Sequence, residues 1–254
     1  MPTDKRERQR AGREARRAAA RQAQMRAARR RQLLTVGALV GVVVVVALAI
    51  RFSGGGSSPS ASSSKKDSVS CPPATATGSK TRHFQFASAP PNCLSSTSDY
   101  SAVVKTDAGS FTIGLDRKAA PKTVNNFVFL SRYHAYDGIP FHRVIPGFVV
   151  QGGDVQNKGG TGGPGYTFAD ELPQAGAYKV GSVAMANSGP DTNGSQFFVI
   201  TGDQGVALPP SYSLFGTVLD GLDVVQKIEA DGSQEGTPKV THTIESVTIN
   251  EKKG

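Results

Sequence analysis

From residue 98 onward, apolar and polar residues alternate in short runs separated by turn formers. Residues 100–105 and 110–115 alternate about Asp107-Ala108-Gly109, which predicts a β-hairpin. Residues 141–150 form a strand pair interrupted at Pro146-Gly147, and 180–185, 196–201 and 212–219 read as further short strands. Residues 239–250 close the series. Two stretches change to a helical period. Pro121 stands at a first helical turn, where its missing N–H costs nothing. Val124, Phe127, Val128 and Leu130 then share one face through Tyr133. Leu222, Val225 and Ile228 make a second stripe over 222–230. About eight short strands with two helices predict an all-β fold of barrel type across 98–252.

Ahead of this domain the pattern changes twice. Residues 33–50 hold no charge for eighteen positions. That is the short end of the roughly 17–25 residues that span a bilayer, and Arg51 and Phe52 extend it. A buried core helix is disfavoured, because Arg-rich and Ser/Gly-rich flanks leave it no partner. A cleaved signal peptide is disfavoured by the long basic region and the lack of a small-x-small site. The reading is an uncleaved transmembrane signal anchor over 33–52. Residues 53–97 read as a flexible Ser/Gly/Pro-rich linker.

Charge fixes the orientation. Residues 1–32 carry twelve Lys or Arg against three acids, so this tail alone accounts for the net charge of +9. The positive-inside rule puts the basic tail in the cytoplasm and the domain outside the cell membrane, as a single-pass protein. The remaining chain balances to zero, which argues against nucleic acid as a partner of the domain. Cys71 and Cys93 suit a disulfide in an oxidising compartment. Two free thiols remain the alternative. No spacing of Cys and His suggests a metal site. The glycine-rich run 157–165 is followed by Asp170-Glu171 instead of Lys-Ser/Thr, so it reads as a surface loop, not a phosphate cradle.

The chemistry concentrates in Phe141 to Asp154, FHRVIPGFVVQGGD. Arg143 stands among apolar residues, and a buried guanidinium is costly unless its donors are occupied. Gln151 or a substrate carbonyl could occupy them. About forty residues on comes MANSGPDTNGSQFF, residues 185–198. Together these stretches closely resemble the cyclophilin family of peptidyl-prolyl cis–trans isomerases, over 98–252.

The resemblance implies a closed eight-stranded antiparallel barrel capped by two helices. It implies rotation about X–Pro bonds in proline-containing polypeptides, with no cofactor. Carried onto this sequence, Arg143, Gln151 and Phe148 take the catalytic positions. Phe148, Phe198 and Leu208 match the proline pocket, with Val149 beside them. Asn187 matches the residue whose backbone pairs with the one preceding proline, and Ala186, Thr192 and Gln196 match further groove positions. His142 is structural, since the reaction moves no proton.

The chain departs from the family at two places. Many members carry a tryptophan just before the pocket leucine, where it donates to cyclosporin. Here Ala207 precedes Leu208 and the chain has no tryptophan, so weak cyclosporin binding is expected. A frequent histidine is replaced by Tyr212, whose ring can still wall the pocket. The expected function is assisted folding of extracytoplasmic proteins. The alternative is a non-catalytic module at the cell envelope that holds proline peptides in the same groove.

Overall fold

A computed structural model describes residues 69–253. The basic tail 1–32, the stretch 33–52 expected to be an anchor and the first part of the 53–97 linker lie outside the described residues. Among the described residues no helix is long and apolar enough to cross a membrane.

The hairpin forms where the alternation places it. Strand β1 (Ser98–Thr106) pairs antiparallel with β2 (Gly109–Leu115), and Thr106 faces Gly109 across a two-residue loop. Helix α1 (Pro121–Arg132) follows, opened by its proline. Its first free N–H groups are met from a distance. The Glu171 carboxylate accepts from Lys122 N at 3.0 Å and from Thr123 N at 2.8 Å. A negative group at a helix N-terminus also suits the helix dipole.

Three short strands come next: β3 (Ile139–Pro140), β4 (Arg143–Ile145) and β5 (Val149–Gly152). Strands β6 (Ser182–Met185) and β7 (Phe197–Ile200) flank a long polar loop. A four-residue helix α2 (Asp203–Val206), strand β8 (Leu214–Asp220), helix α3 (Leu222–Ala230) and strand β9 (Thr243–Lys253) complete the order.

The sheet differs from the closed eight-stranded barrel expected. It has nine strands in the order β3-β9-β1-β2-β8-β6-β7-β5-β4, and no ladder joins β3 to β4. It is an open, half-barrel sheet. Closure fails for two local reasons. Pro140 has no N–H to offer a neighbour. The free edge of β4 is taken by a loop: Val144 N donates to Gly236 O at 2.8 Å, and Ser233 N donates to Val144 O at 3.1 Å. The ninth strand is β3, too short to show as an alternation. A third helix, α2, joins the two expected.

The sequence predicted one apolar face on α1, but every residue from Thr123 to Arg132 is buried. The sheet covers one side. The other is covered by residues 69–97, which the sequence reading placed within a flexible linker. This collar has no regular secondary structure, yet Val69, Phe84, Phe86 and Cys93 pack on the core. The Phe86 ring lies 4.7 Å from that of Phe129, the α1 residue outside the predicted face. Ser79 N and His83 N donate to the carbonyls of Arg132 and Tyr133 at 2.7 and 2.8 Å. Cys71 and Cys93 are joined in a disulfide that closes the collar.

Candidate functional site

The Pro146-Gly147 turn sets β4 against β5 in a register that puts Arg143 opposite Gln151. Period-2 alternation sends both side chains to the same face of the sheet. Arg143 Nη1 donates to Gln151 Oε1 at 3.2 Å. Gln151 Nε2 donates to Gln196 Oε1 at 3.3 Å, and Gln196 Nε2 donates to the carbonyls of Gly160 and Gly162 at 2.9 and 3.0 Å. A directed chain of amides thus runs from the guanidinium to the glycine-rich loop. Arg143 also stands over the Phe148 ring, 5.3 Å from its centroid, in cation–π geometry.

Beside this arginine lies a pocket of ≈ 330 Å³. Phe148, Val149, Phe198, Leu208 and Tyr212 supply its apolar walls, and Arg143, Gln151, Ala186 and Asn187 its rim. The floor belongs to a small apolar cluster separate from the main core, with Val149, Ala184 and Ile200 at its centre. Tyr212 meets Phe198 edge to face at 5.3 Å. Its backbone is pinned from below, because Tyr178 Oη donates to Tyr212 O at 2.7 Å.

Thr192 and Gln196 are not on this pocket. They line an adjoining compartment of ≈ 500 Å³, which shares Gln151, Ala186 and Asn187 with the first. Thr192 braces the 187–195 loop, accepting from Ser188 N and donating to Gly189 O, both at 2.8 Å. The Asn187 amide donates to Ser211 O at 2.9 Å and ties the two rims together. The Asn187 backbone bonds no other backbone group among the described residues. Asn193, which opens an Asn-Gly-Ser triplet, is fully buried and donates to Asp170 Oδ1 at 2.7 Å.

Sequence reasoning missed Asp154. Its buried carboxylate accepts from the backbone N–H groups of Gln156, Lys158, Gly160 and Gly162, at 2.8 to 3.1 Å. Burial pushes this carboxyl up, but the four donors outweigh it and hold it below the ordinary value. The glycine-rich loop therefore encloses an anion of its own chain. An aspartate three residues ahead of the glycine-rich run 157–165 was the available signal. His142 packs under the same loop. Gly160 has a φ of +94°, and a Cβ there would lie 2.8 Å from His142 Nε2. Burial and the neighbouring Arg143 lower the His142 imidazole against the pull of Asp154, and its Nδ1 is buried without a partner. Among the described residues no cluster of His, Cys, Asp and Glu could hold a metal ion.

Residues 101–249 match the family model described as "Cyclophilin type peptidyl-prolyl cis-trans isomerase/CLD". The chain belongs to the cyclophilin family. This cyclophilin is 41% identical over 170 residues to peptidyl-prolyl cis-trans isomerase A of Mycobacterium tuberculosis, covering 59% of this chain and 91% of that one. It is 39% identical over 170 residues to the probable peptidyl-prolyl cis-trans isomerase B of Mycobacterium leprae, covering 59% and 57%. A crystal structure of a Cryptosporidium parvum cyclophilin-type isomerase superposes with a TM-score of 0.55 at 30% identity, covering 61% of this chain and 99% of that one. A second structure of that protein, in the presence of the dipeptide Ala-Pro, gives a TM-score of 0.54 at 30% identity, covering 60% and 99%.

Proposed function

We propose that Arg143 is the electrostatic centre of this peptidyl-prolyl cis–trans isomerase, and that the enzyme serves extracytoplasmic chains from a membrane anchor. One observation carries the catalytic part. A pocket of ≈ 330 Å³ with apolar walls, large enough for a proline and its neighbour, has Arg143 on its rim with Gln151 bonded to it.

Rotation about X–Pro passes through a state without amide resonance, at a barrier of about 18–20 kcal/mol. The prolyl nitrogen then regains its lone pair. Arg143 carries more donors than Gln151 occupies, and one aimed at that nitrogen favours the twisted state over either planar one. Gln151 and the Phe148 ring hold the fork in place. Phe198, Leu208 and Tyr212, with Phe148 and Val149, take the proline ring. The free Asn187 backbone suits the residue preceding proline, and Ala186, Thr192 and Gln196 continue the groove. The Ala-Pro dipeptide present with the Cryptosporidium relative fits such a proline-peptide substrate.

The membrane part rests on the sequence. An uncharged run at 33–50, extended by Arg51 and Phe52, follows a tail rich in arginine, which favours a cytoplasmic N-terminus and an external domain. The Cys71–Cys93 disulfide agrees with an oxidising compartment.

Isomerisation kinetics of the full chain in detergent, beside its Arg143→Ala variant, test the catalytic reading. Strong acceleration that the variant loses is the expected result. No acceleration by the folded wild type would leave a peptide-binding module. Protease protection in sealed vesicles tests the orientation, which requires the domain and the tail to lie on opposite sides.

A further inference from the structure

The collar lies ahead of the family-matched segment 101–249, yet it is bonded to the wall of the groove. Gln85 Nε2 donates to Gly163 O at 2.8 Å, and Phe86 N donates to Pro164 O at 2.9 Å. At Gly165, with φ +92°, a Cβ would lie 2.7 Å from Phe86 O, so collar and loop touch backbone to backbone. Gly163 and Pro164 both line the ≈ 500 Å³ compartment and neither lines the proline pocket.

The collar is well anchored behind these contacts. The Phe86 ring packs on Phe129 and Tyr133, with centroids 4.7 and 5.2 Å away. Arg82 Nη2 donates to Ala135 O and Val155 O, both at 3.0 Å. Cys93 N donates to Asn125 Oδ1 at 2.8 Å, and the Cys71–Cys93 disulfide closes the segment. The loop is therefore held by two different hands. Asp154 and Gln196 fix residues 160 and 162 from within the domain, the domain's Gln156 Nε2 (2.9 Å) and the collar's Gln85 share the Gly163 carbonyl, and the collar backbone meets 164 and 165 from outside.

We propose that Gln85 and Phe86 are positioning residues that set the width of the second compartment. Through it they select the residues that the enzyme accepts ahead of X–Pro. This rests on the isomerase reading above. Because the collar does not reach the proline pocket, it acts on longer substrates and leaves the rotation step itself alone.

The test uses the full chain and two variants, Gln85→Ala and Gln85→Glu. Gln85 is exposed, so neither variant threatens the core. The glutamate keeps the shape, cannot donate, and sets a carboxylate against Gly163 O. Substrates share one X–Pro pair and differ, from glycine to phenylalanine, at the two residues before X. The expected result is a change in KM of about threefold or more, the scale of one hydrogen bond, that depends on those residues. The kcat and the rate on a peptide lacking them stay at the wild-type value. A Cys71→Ser/Cys93→Ser double variant should reorder the peptides in the same sense. One common factor across all peptides, or an unchanged ranking, overturns the proposal alone. A wild type inactive on every peptide overturns the isomerase reading and this proposal with it.

Discussion

Arg143 and Gln151 face each other across one register pair of β4 and β5, and Arg143 Nη1 donates to Gln151 Oε1 at 3.2 Å. The glutamine leaves most of the fork free while fixing its direction. Removing the charge and removing its guide should therefore differ. Arg143→Ala should lower kcat about a hundred- to a thousandfold, as losing one preorganised donor does. Gln151→Ala should lower it about ten- to a hundredfold, the range of one hydrogen bond to a charged group. The double variant should fall little below Arg143→Ala, because the two act as a unit. Steady-state kinetics on one peptide read all three.

Asp154 holds four backbone donors with one carboxylate. Asp154→Ala should destabilise the fold by about 1–3 kcal/mol or more, the cost of unmade buried bonds. Its folded pKa is depressed. Its contribution is thus present above the unfolded carboxyl pKa and is lost as pH falls through the folded one. Denaturant melts of wild type and Asp154→Asn from neutral to acid pH should converge as the acid end is reached.

His242 is buried between two carboxylates, with Nδ1 2.9 Å from Asp107 Oδ2 and Nε2 3.0 Å from Asp231 Oδ2. Burial lowers its pKa, but Asp231 and Asp107 outweigh this and the net shift is upward. A raised histidine contributes stability that is full below its unfolded pKa of about 6.5 and fades as pH rises through the folded value. His134 shifts upward as well and His142 downward, so the wild-type profile mixes signs. The difference in thermal midpoint between wild type and His242→Gln isolates the residue. It should be largest near pH 6 and shrink toward alkaline pH.

The disulfide closes a loop between residues 22 apart in sequence. Chain entropy for such a loop predicts a stabilisation of roughly 3 kcal/mol. Urea denaturation with and without a reductant should show that loss. Because the collar covers Phe129 and Tyr133, the reduced protein should also expose more aromatic surface to quenchers.

Ala207 caps the short helix α2 and is exposed ahead of Leu208. It offers no side-chain donor at the rim. Calorimetric titration should find cyclosporin weaker than micromolar, and Ala207→Trp should tighten it. A submicromolar wild-type constant would show that the rim donor is dispensable.

Much of the fold was legible because each main element has a strong local cause. Pro121 begins α1, Pro146-Gly147 turns β4 into β5, and the stripe of Leu222, Val225 and Ile228 lies on a helix of the same bounds, Leu222–Ala230. What escaped depends on partners far along the chain. Residues 139–140 become a strand only because Ile139 pairs with Ile244. Phe129 is buried only because Phe86 covers it, some forty residues earlier. The same holds at the site. Arg143, Phe148 and Gln151 stand close in sequence, and their neighbourhood could be read directly. The Gln196 link to the glycine loop and the Asp154 anchor needed the folded chain.

The loop over residues 233–236 has a consequence at the sheet's end. By bonding both the N–H and the C=O of Val144 it leaves β4 no row of open backbone groups, while the opposite end of the sheet stops at a two-residue strand containing proline. An exposed edge recruits any extended chain into intermolecular pairing. A protein whose substrates are themselves extended chains meets that hazard at every encounter. Here the sheet offers such a chain the groove and denies it an edge, which guards the enzyme against aggregating with the polypeptides it handles.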